Sequence, residues 1–126
     1  MPLVRISLRE GKSAAHRRAL ADGVHDAMVA TIGIPAADRF QVVTEHGEGS
    51  LIYDPGYLGI SRTGDVVFVQ ITLSVGRSVE TKKALYAKIA ENLAKSPGLR
   101  KEDVFVNLVE VVKEDWSFGN GEAQYA

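Results

Sequence analysis

The chain has 126 residues, 45% hydrophobic and 25% charged, with a formal net charge of -1 and no cysteine. That length suits one domain and that composition an ordinary globular protein, which excludes disordered, collagen-like and coiled-coil classes. Lys and Arg are spread along the chain, so no basic face gathers to neutralise phosphates and nucleic acid is not an expected partner.

Lack of cysteine also removes disulfides, thiolate nucleophiles and zinc–thiolate sites. His16, His25 and His46 show no metal-ligand spacing, so no metal is expected. The opening MPLVRISLRE lacks a basic region followed by an apolar run, and no stretch approaches the roughly 20 apolar residues of a membrane span. The expectation is a cytoplasmic protein with no membrane partner.

In chain order, Leu3 to Leu8 is rich in β-branched and apolar residues and predicts a strand. Ser13 follows a glycine turn where an N-cap belongs. Leu20, Val24, Ala27, Met28 and Ile32 then recur at helical spacing up to Gly33. His25 falls beside this stripe, which predicts a solvated or interface histidine. Phe40 to Thr44 reads as a second strand.

Residues 46–65 form a linker whose centre, IYDPGYLGI, predicts a short hairpin about Asp54-Pro55-Gly56. A third strand follows over Val66 to Leu73. Ser78 again caps a helix, with Leu85, Ile89 and Leu93 on its apolar stripe, and Gly98 lies beyond its end. Val104 to Val112 is the fourth strand. The tail from 113 to 126 carries Trp116, Phe118 and Tyr125, too apolar for a plain solvated tail and too short for its own core. Gly119 to Gly121 lacks the strand-then-helix setting of a phosphate loop and reads as a tight turn.

These elements repeat. A gapless shift of 65 positions aligns residues 3–45 with 68–110: Val4 meets Val69, Ile6 Ile71, Leu8 Leu73, Ser13 Ser78, Gly33 Gly98, Asp38 Asp103 and Glu45 Glu110. Each half is therefore one βαβ unit, the first at 2–45 and the second at 66–112. A helical crossover normally joins parallel strands. The predicted fold is α+β (α/β): one domain over 1–126, a four-stranded, mostly parallel sheet with two helices on one face, plus short hairpins.

The initial MPL, the Ala36-Ala37-Asp38-Arg39-Phe40-Gln41 segment, the Gly76-Arg77-Ser78 turn and the closing Asp115-Trp116-Ser117-Phe118-Gly119 together resemble the tautomerase superfamily. The likeness covers nearly the whole chain and is to the branch containing malonate semialdehyde decarboxylase. It implies a cofactor-independent isomerase, or a related carboxy-lyase or hydratase, acting on a small oxo acid and assembled as a homotrimer.

By the same resemblance, Pro2 becomes the catalytic group once Met1 is removed. A free α-amine has an ordinary pKa near 8, closer to neutrality than a lysine, and the pyrrolidine ring fixes its lone pair. The alternative is a proline that merely starts an edge strand. Asp38 matches the family's catalytic aspartate, against which stands a turn or capping role, since Asp103 occupies the same place in the second unit. Arg77 matches an arginine that grips the substrate carboxylate or polarises its carbonyl. Trp116 and Phe118 match an apolar substrate wall, and Tyr125 an aromatic position nearby; core packing is the alternative for each. The chain departs from the decarboxylase Arg-x-Arg pattern, having Val75-Gly76-Arg77, and Lys12, the repeat partner of Arg77, is a possible second cation.

Overall fold

A computed structural model describes residues 1–126. Four strands, β1 (Leu3–Arg9), β2 (Gln41–His46), β3 (Val67–Ser74) and β4 (Val104–Val111), form one sheet in the order β2-β1-β3-β4. Two helices, α1 (Ala14–Ile32) and α2 (Val79–Lys95), complete the two βαβ units. Strand pairs β1–β2 and β3–β4 are parallel, and the central pair β1–β3 is antiparallel.

Local chemistry sets the helix ends. Ser13 accepts a hydrogen bond from the backbone N–H of His16, and Ser78 from that of Thr81, each capping an otherwise unpaired donor. Gly33 ends α1 in the left-handed conformation at φ 68°, which glycine adopts without strain. By the repeat, α2 would run to residue 97, but it ends at Lys95, since the residue before Pro97 is pushed out of helical geometry.

Strand alternation sets the core. Val4, Ile6 and Leu8 of β1 and Val67, Val69, Ile71 and Leu73 of β3 face the helices and are buried against Leu20, Val24, Met28, Leu85, Ile89 and Leu93. Each such side chain contributes about 1.5–3 kcal/mol by leaving water. The opposite sheet face carries Arg5, Gln70 and Asn107 with the exposed Val42, Phe105 and Val109.

Arg5 pairs with Gln70, its own partner in the 65-residue repeat, so a pseudo-twofold axis passes between them. This relation places the start of β1 beside the end of β3. Pro2 therefore stands near the turn that carries Arg77, and the two ends of the sheet are built from both units.

Two expectations are corrected. No strand forms between residues 47 and 66, where a hairpin was expected. The turn at Asp54 is present, its Oδ1 accepting from the N–H of Gly56, but the segment then enters a single 3-10 turn over Tyr57–Gly59. Arg62 donates to the carbonyls of Asp54, Tyr57 and Ile60, and its N–H bonds to Pro55 O, so the backbone groups a ladder would need are used within the loop. His25, expected in solvent or at an interface, is buried at 4% exposure. The 36–41 segment covers that flank of α1, and the ring donates from Nε2 to the carbonyl of Ala36 at 2.8 Å.

Candidate active site at the amino-terminal end of the sheet

A cavity of about 200 Å³ opens at the start of β1, lined by Met1, Pro2, Leu3, Phe40, Trp116 and Phe118. Larger hollows lie along the α1–α2 groove and the open sheet face, but they gather no comparable set of candidate reactive groups. Pro2 is buried. Parallel pairing of β1 with β2, continued by the Val4 N–H to Phe40 O bond at 3.0 Å, brings the 36–41 segment alongside it.

Asp38 ends a turn closed by its own N–H to Pro35 O at 3.0 Å. Its side chain is 10% exposed, and Oδ2 lies 4.0 Å from the amino-terminal nitrogen of Met1. The other oxygen, Oδ1, is buried without a hydrogen-bond partner. Buried carboxylate oxygens are normally bonded, so an unpaired one marks a group available to something else.

The segment around Asp38 is tied to α1 on both sides. Arg39 donates from Nη2 to Asp22 Oδ1 at 2.6 Å and from Nε to Gln41 Oε1 at 2.8 Å, while Gln41 Nε2 donates to Ala21 O at 2.8 Å. The Arg39 hydrogen bond is the main reason that the carboxyl of Asp22 is held below its ordinary value.

The aromatic wall comes from the tail. Asp115 Oδ2 accepts from the Val112 N–H at 3.1 Å, tightening a 3-10 turn over Lys113–Asp115 that presents Trp116. Indole Nε1 of Trp116 donates to Ser74 Oγ at 3.1 Å, and the indole stacks on Phe118 at 5.4 Å between centroids. Gln124 bonds the N–H of Phe118 and the carbonyl of Gly119, folding the tail back so that Tyr125 meets Phe118 edge-on at 4.8 Å. Asn120 takes a positive φ of 61° in this turn.

The structure thus brings Pro2, Trp116 and Phe118 together around one cavity, with Asp38 against the terminal amine. Arg77 does not line it: Nη1 donates to Ser74 O at 2.8 Å, so one residue, Ser74, holds both the cation and the Trp116 wall. Tyr125 reaches the site only through Phe118 and borders an adjoining hollow with Ser74 and Val75. Lys12 is engaged elsewhere, 2.6 Å from Asp65. Sequence reasoning did not single out Phe40 as a lining residue or Ser74 as an anchor; the only sequence signals were their places beside Arg39 and before the Val75-Gly76-Arg77 turn.

A tautomerase enzyme family model matches residues 38–119, and a second tautomerase enzyme model matches residues 2–59. The chain belongs to the tautomerase superfamily. It is an enzyme of that superfamily, of the isomerase or the related decarboxylase and hydratase kind. Probable tautomerase YusQ of Bacillus subtilis (strain 168) is 43% identical over 124 residues, 98% of each chain. The crystal structure of FG41 malonate semialdehyde decarboxylase inhibited by 3-bromopropiolate superposes with a TM-score of 0.91 at 44% identity, over 98% of this chain and 93% of that one. A wild-type fused 4-OT symmetric trimer gives a TM-score of 0.78 at 29% identity, over 98% and 97%. These likenesses run the length of both βαβ units and include the tail. No helix is long and apolar enough to cross a membrane.

Proposed function

We propose that, after removal of Met1, the secondary amine of Pro2 moves a proton in the keto–enol tautomerisation of a small 2-oxo acid. The observation that carries this reading is Pro2 set with Trp116 and Phe118 at an apolar cavity of about 200 Å³, beside Asp38, whose Oδ2 lies 4.0 Å from the nitrogen of the Met1 to be removed and whose Oδ1 is buried and unpaired. The neutral amine takes the enol O–H proton and returns a proton to the carbon beside the carbonyl. Asp38 orients the amine and balances its charge while it is protonated. Arg77, whose guanidinium bonds Ser74 O outside the cavity, turns from that carbonyl toward the bound acid and grips its carboxylate and the developing oxyanion through its planar donors. Trp116, Phe118 and Phe40 exclude water, and Tyr125 backs Phe118. The residues named carry every proton, so the reaction needs no cofactor.

A specific observation favours a second reading. The Asp38 carboxylate favours the cationic form of a nearby amine, whereas the apolar wall disfavours it. A protonated Pro2 acting as acid suits decarboxylation of a 3-oxo acid or hydration of an unsaturated one, in keeping with the likeness to the FG41 decarboxylase. NMR titration of the prolyl nitrogen, with the rate of phenylenolpyruvate ketonisation, decides between them. A value near or below neutrality with ketonisation supports the tautomerase; a value well above neutrality without it supports the lyase or hydratase. Substitution of Pro2 by Ala with unchanged turnover, or no turnover of any of these acids, would leave a binding module on the same fold.

The homotrimer belongs to the same proposal. Exposed Val42, Phe105 and Val109 on the open sheet face offer apolar area for copies of the chain to cover. Light scattering should give three times the chain mass of 13.6 kDa, and a monomer contradicts it. The proposed setting is the cytoplasm, checked by cell fractionation.

A further inference from the structure

We propose that His25 is a positioning residue that braces the Asp38 turn against α1 and so fixes where the carboxylate stands relative to the terminal amine. The inference rests on the role given to Asp38 above. Residues Pro35 to Asp38 form a turn closed by the Asp38 N–H to Pro35 O bond, and the carbonyl of Ala36, at its second position, takes the Nε2 hydrogen of His25 at 2.8 Å. A carbonyl can only accept, so Nε2 carries the proton. Nδ1 is buried and has no partner.

That orphaned nitrogen argues against a packing role. A leucine would fill a site 4% exposed without burying an unpaired polar atom, a cost that side chains in cores generally avoid. Ala36 itself is exposed, so the bond adds little apolar burial. What it does is hold the second residue of a four-residue turn that ends at Asp38.

The second unit supplies a control inside the molecule. His25 corresponds there to Ala90, Ala36 to Lys101 and Asp38 to Asp103, and an alanine side chain cannot donate such a bond. Asp103 is instead locked directly: Thr63 donates its N–H to Oδ1 and its hydroxyl to Oδ2, both at 2.7 Å. A carboxylate bonded on both oxygens needs no brace from its helix. Asp38, with Oδ1 free of partners, cannot be fixed through its own side chain, and its backbone must be held from outside.

Two variants test this in the full chain. In His25→Gln the side-chain amide can stand near the place of Nε2, while His25→Leu keeps the volume and loses the donor. The expected result for His25→Leu is amide exchange at Asp38 at least tenfold faster, and kcat on the oxo acid at least tenfold lower with KM within threefold; His25→Gln stays within threefold of wild type on all three. Unchanged exchange in the Leu variant overturns the brace, and faster exchange with unchanged kcat overturns its link to catalysis. A Gln variant as impaired as Leu at an unaltered melting temperature overturns the hydrogen bond as the cause. If His25→Leu does not fold, His25→Asn, whose amide is too short to reach Ala36, replaces it. Absence of turnover in the wild type would sink the proposed function, whereas the exchange comparison still decides the brace.

Discussion

Asp38 and Asp103 occupy the same place in two copies of one βαβ unit, yet their surroundings are opposite. Asp103 is 1% exposed, with both oxygens bonded to Thr63 and Arg100 at 3.9 Å. Asp38 leaves Oδ1 unpaired and faces the chain terminus. The turn around it is tied to α1 through His25, Asp22 and the Ala21 carbonyl, which takes the Gln41 amide; in the second unit Ala90 and Ala87 stand for His25 and Asp22, and Val106 for Gln41. One copy spends its carboxylate on stability. The other holds the backbone from behind and leaves one carboxylate oxygen unpaired, which under the proposed function is the oxygen available for chemistry.

Substitutions at matched positions can break or sharpen this contrast. The largest effect is expected at Pro2 and its counterpart Val67: Pro2→Ala should lower kcat/KM by about 10²–10³, while Val67→Ala should lower the melting temperature and leave kcat/KM of the folded enzyme within about threefold of wild type. Equal catalytic losses would break the asymmetry. Next, Asp38→Ala should cost about 10²-fold in kcat with stability within about 1 kcal/mol of wild type. Asp103→Ala should cost about 3 kcal/mol on denaturant unfolding by stranding both Thr63 donors, with kcat little changed.

Arg77 and Lys12 are also repeat partners. Arg77→Ala should reduce kcat/KM by about 30- to 100-fold, whereas Lys12→Ala, removing an exposed pair with Asp65, should stay within about twofold. Steady-state kinetics on both variants checks this.

The smallest effect concerns Asp22. The Arg39 hydrogen bond lowers its folded pKa, so the unfolded chain binds more protons and stability rises with pH through this window. The contribution is complete at neutral pH and is lost as pH falls below the ordinary carboxylate value toward the lowered one. The melting temperature should therefore drop more between about pH 5 and pH 3 in wild type than in Asp22→Asn, by a small margin because the carboxylate is half exposed.

Much of this was legible in the sequence. The 65-residue repeat gave both βαβ units because each period, two in Leu3 to Leu8 and near 3.6 in Leu20 to Ile32, is a local consequence of one buried face. The antiparallel pairing of β1 with β3 was not, since the choice depends on contacts between distant strands. Residues 47–66 misled because the Asp54-Pro55-Gly56 turn specifies only a reversal, while Arg62 decides where the following carbonyls go. At the site, resemblance led to Pro2, Trp116 and Phe118, which line one cavity, to Asp38, which lies beside Met1, and to Arg77 and Tyr125, which do not line it. Ser74 and His25 stayed hidden because their roles are hydrogen bonds to residues far along the chain or across a turn, and no spacing announces those. His25 shows the limit well: one position off an apolar stripe is exposed only if nothing covers that flank, and here the 36–41 segment does.

Incubation with 3-bromopropiolate, the inhibitor of the FG41 relative, followed by mass spectrometry of the intact protein and its peptides, tests the central claim most directly. A chain lacking Met1 and carrying one adduct, on the nitrogen of Pro2, is the result expected of a single reactive amine beside Asp38. A chain that keeps Met1 and stays unlabelled, or an adduct on any residue but Pro2, would contradict it.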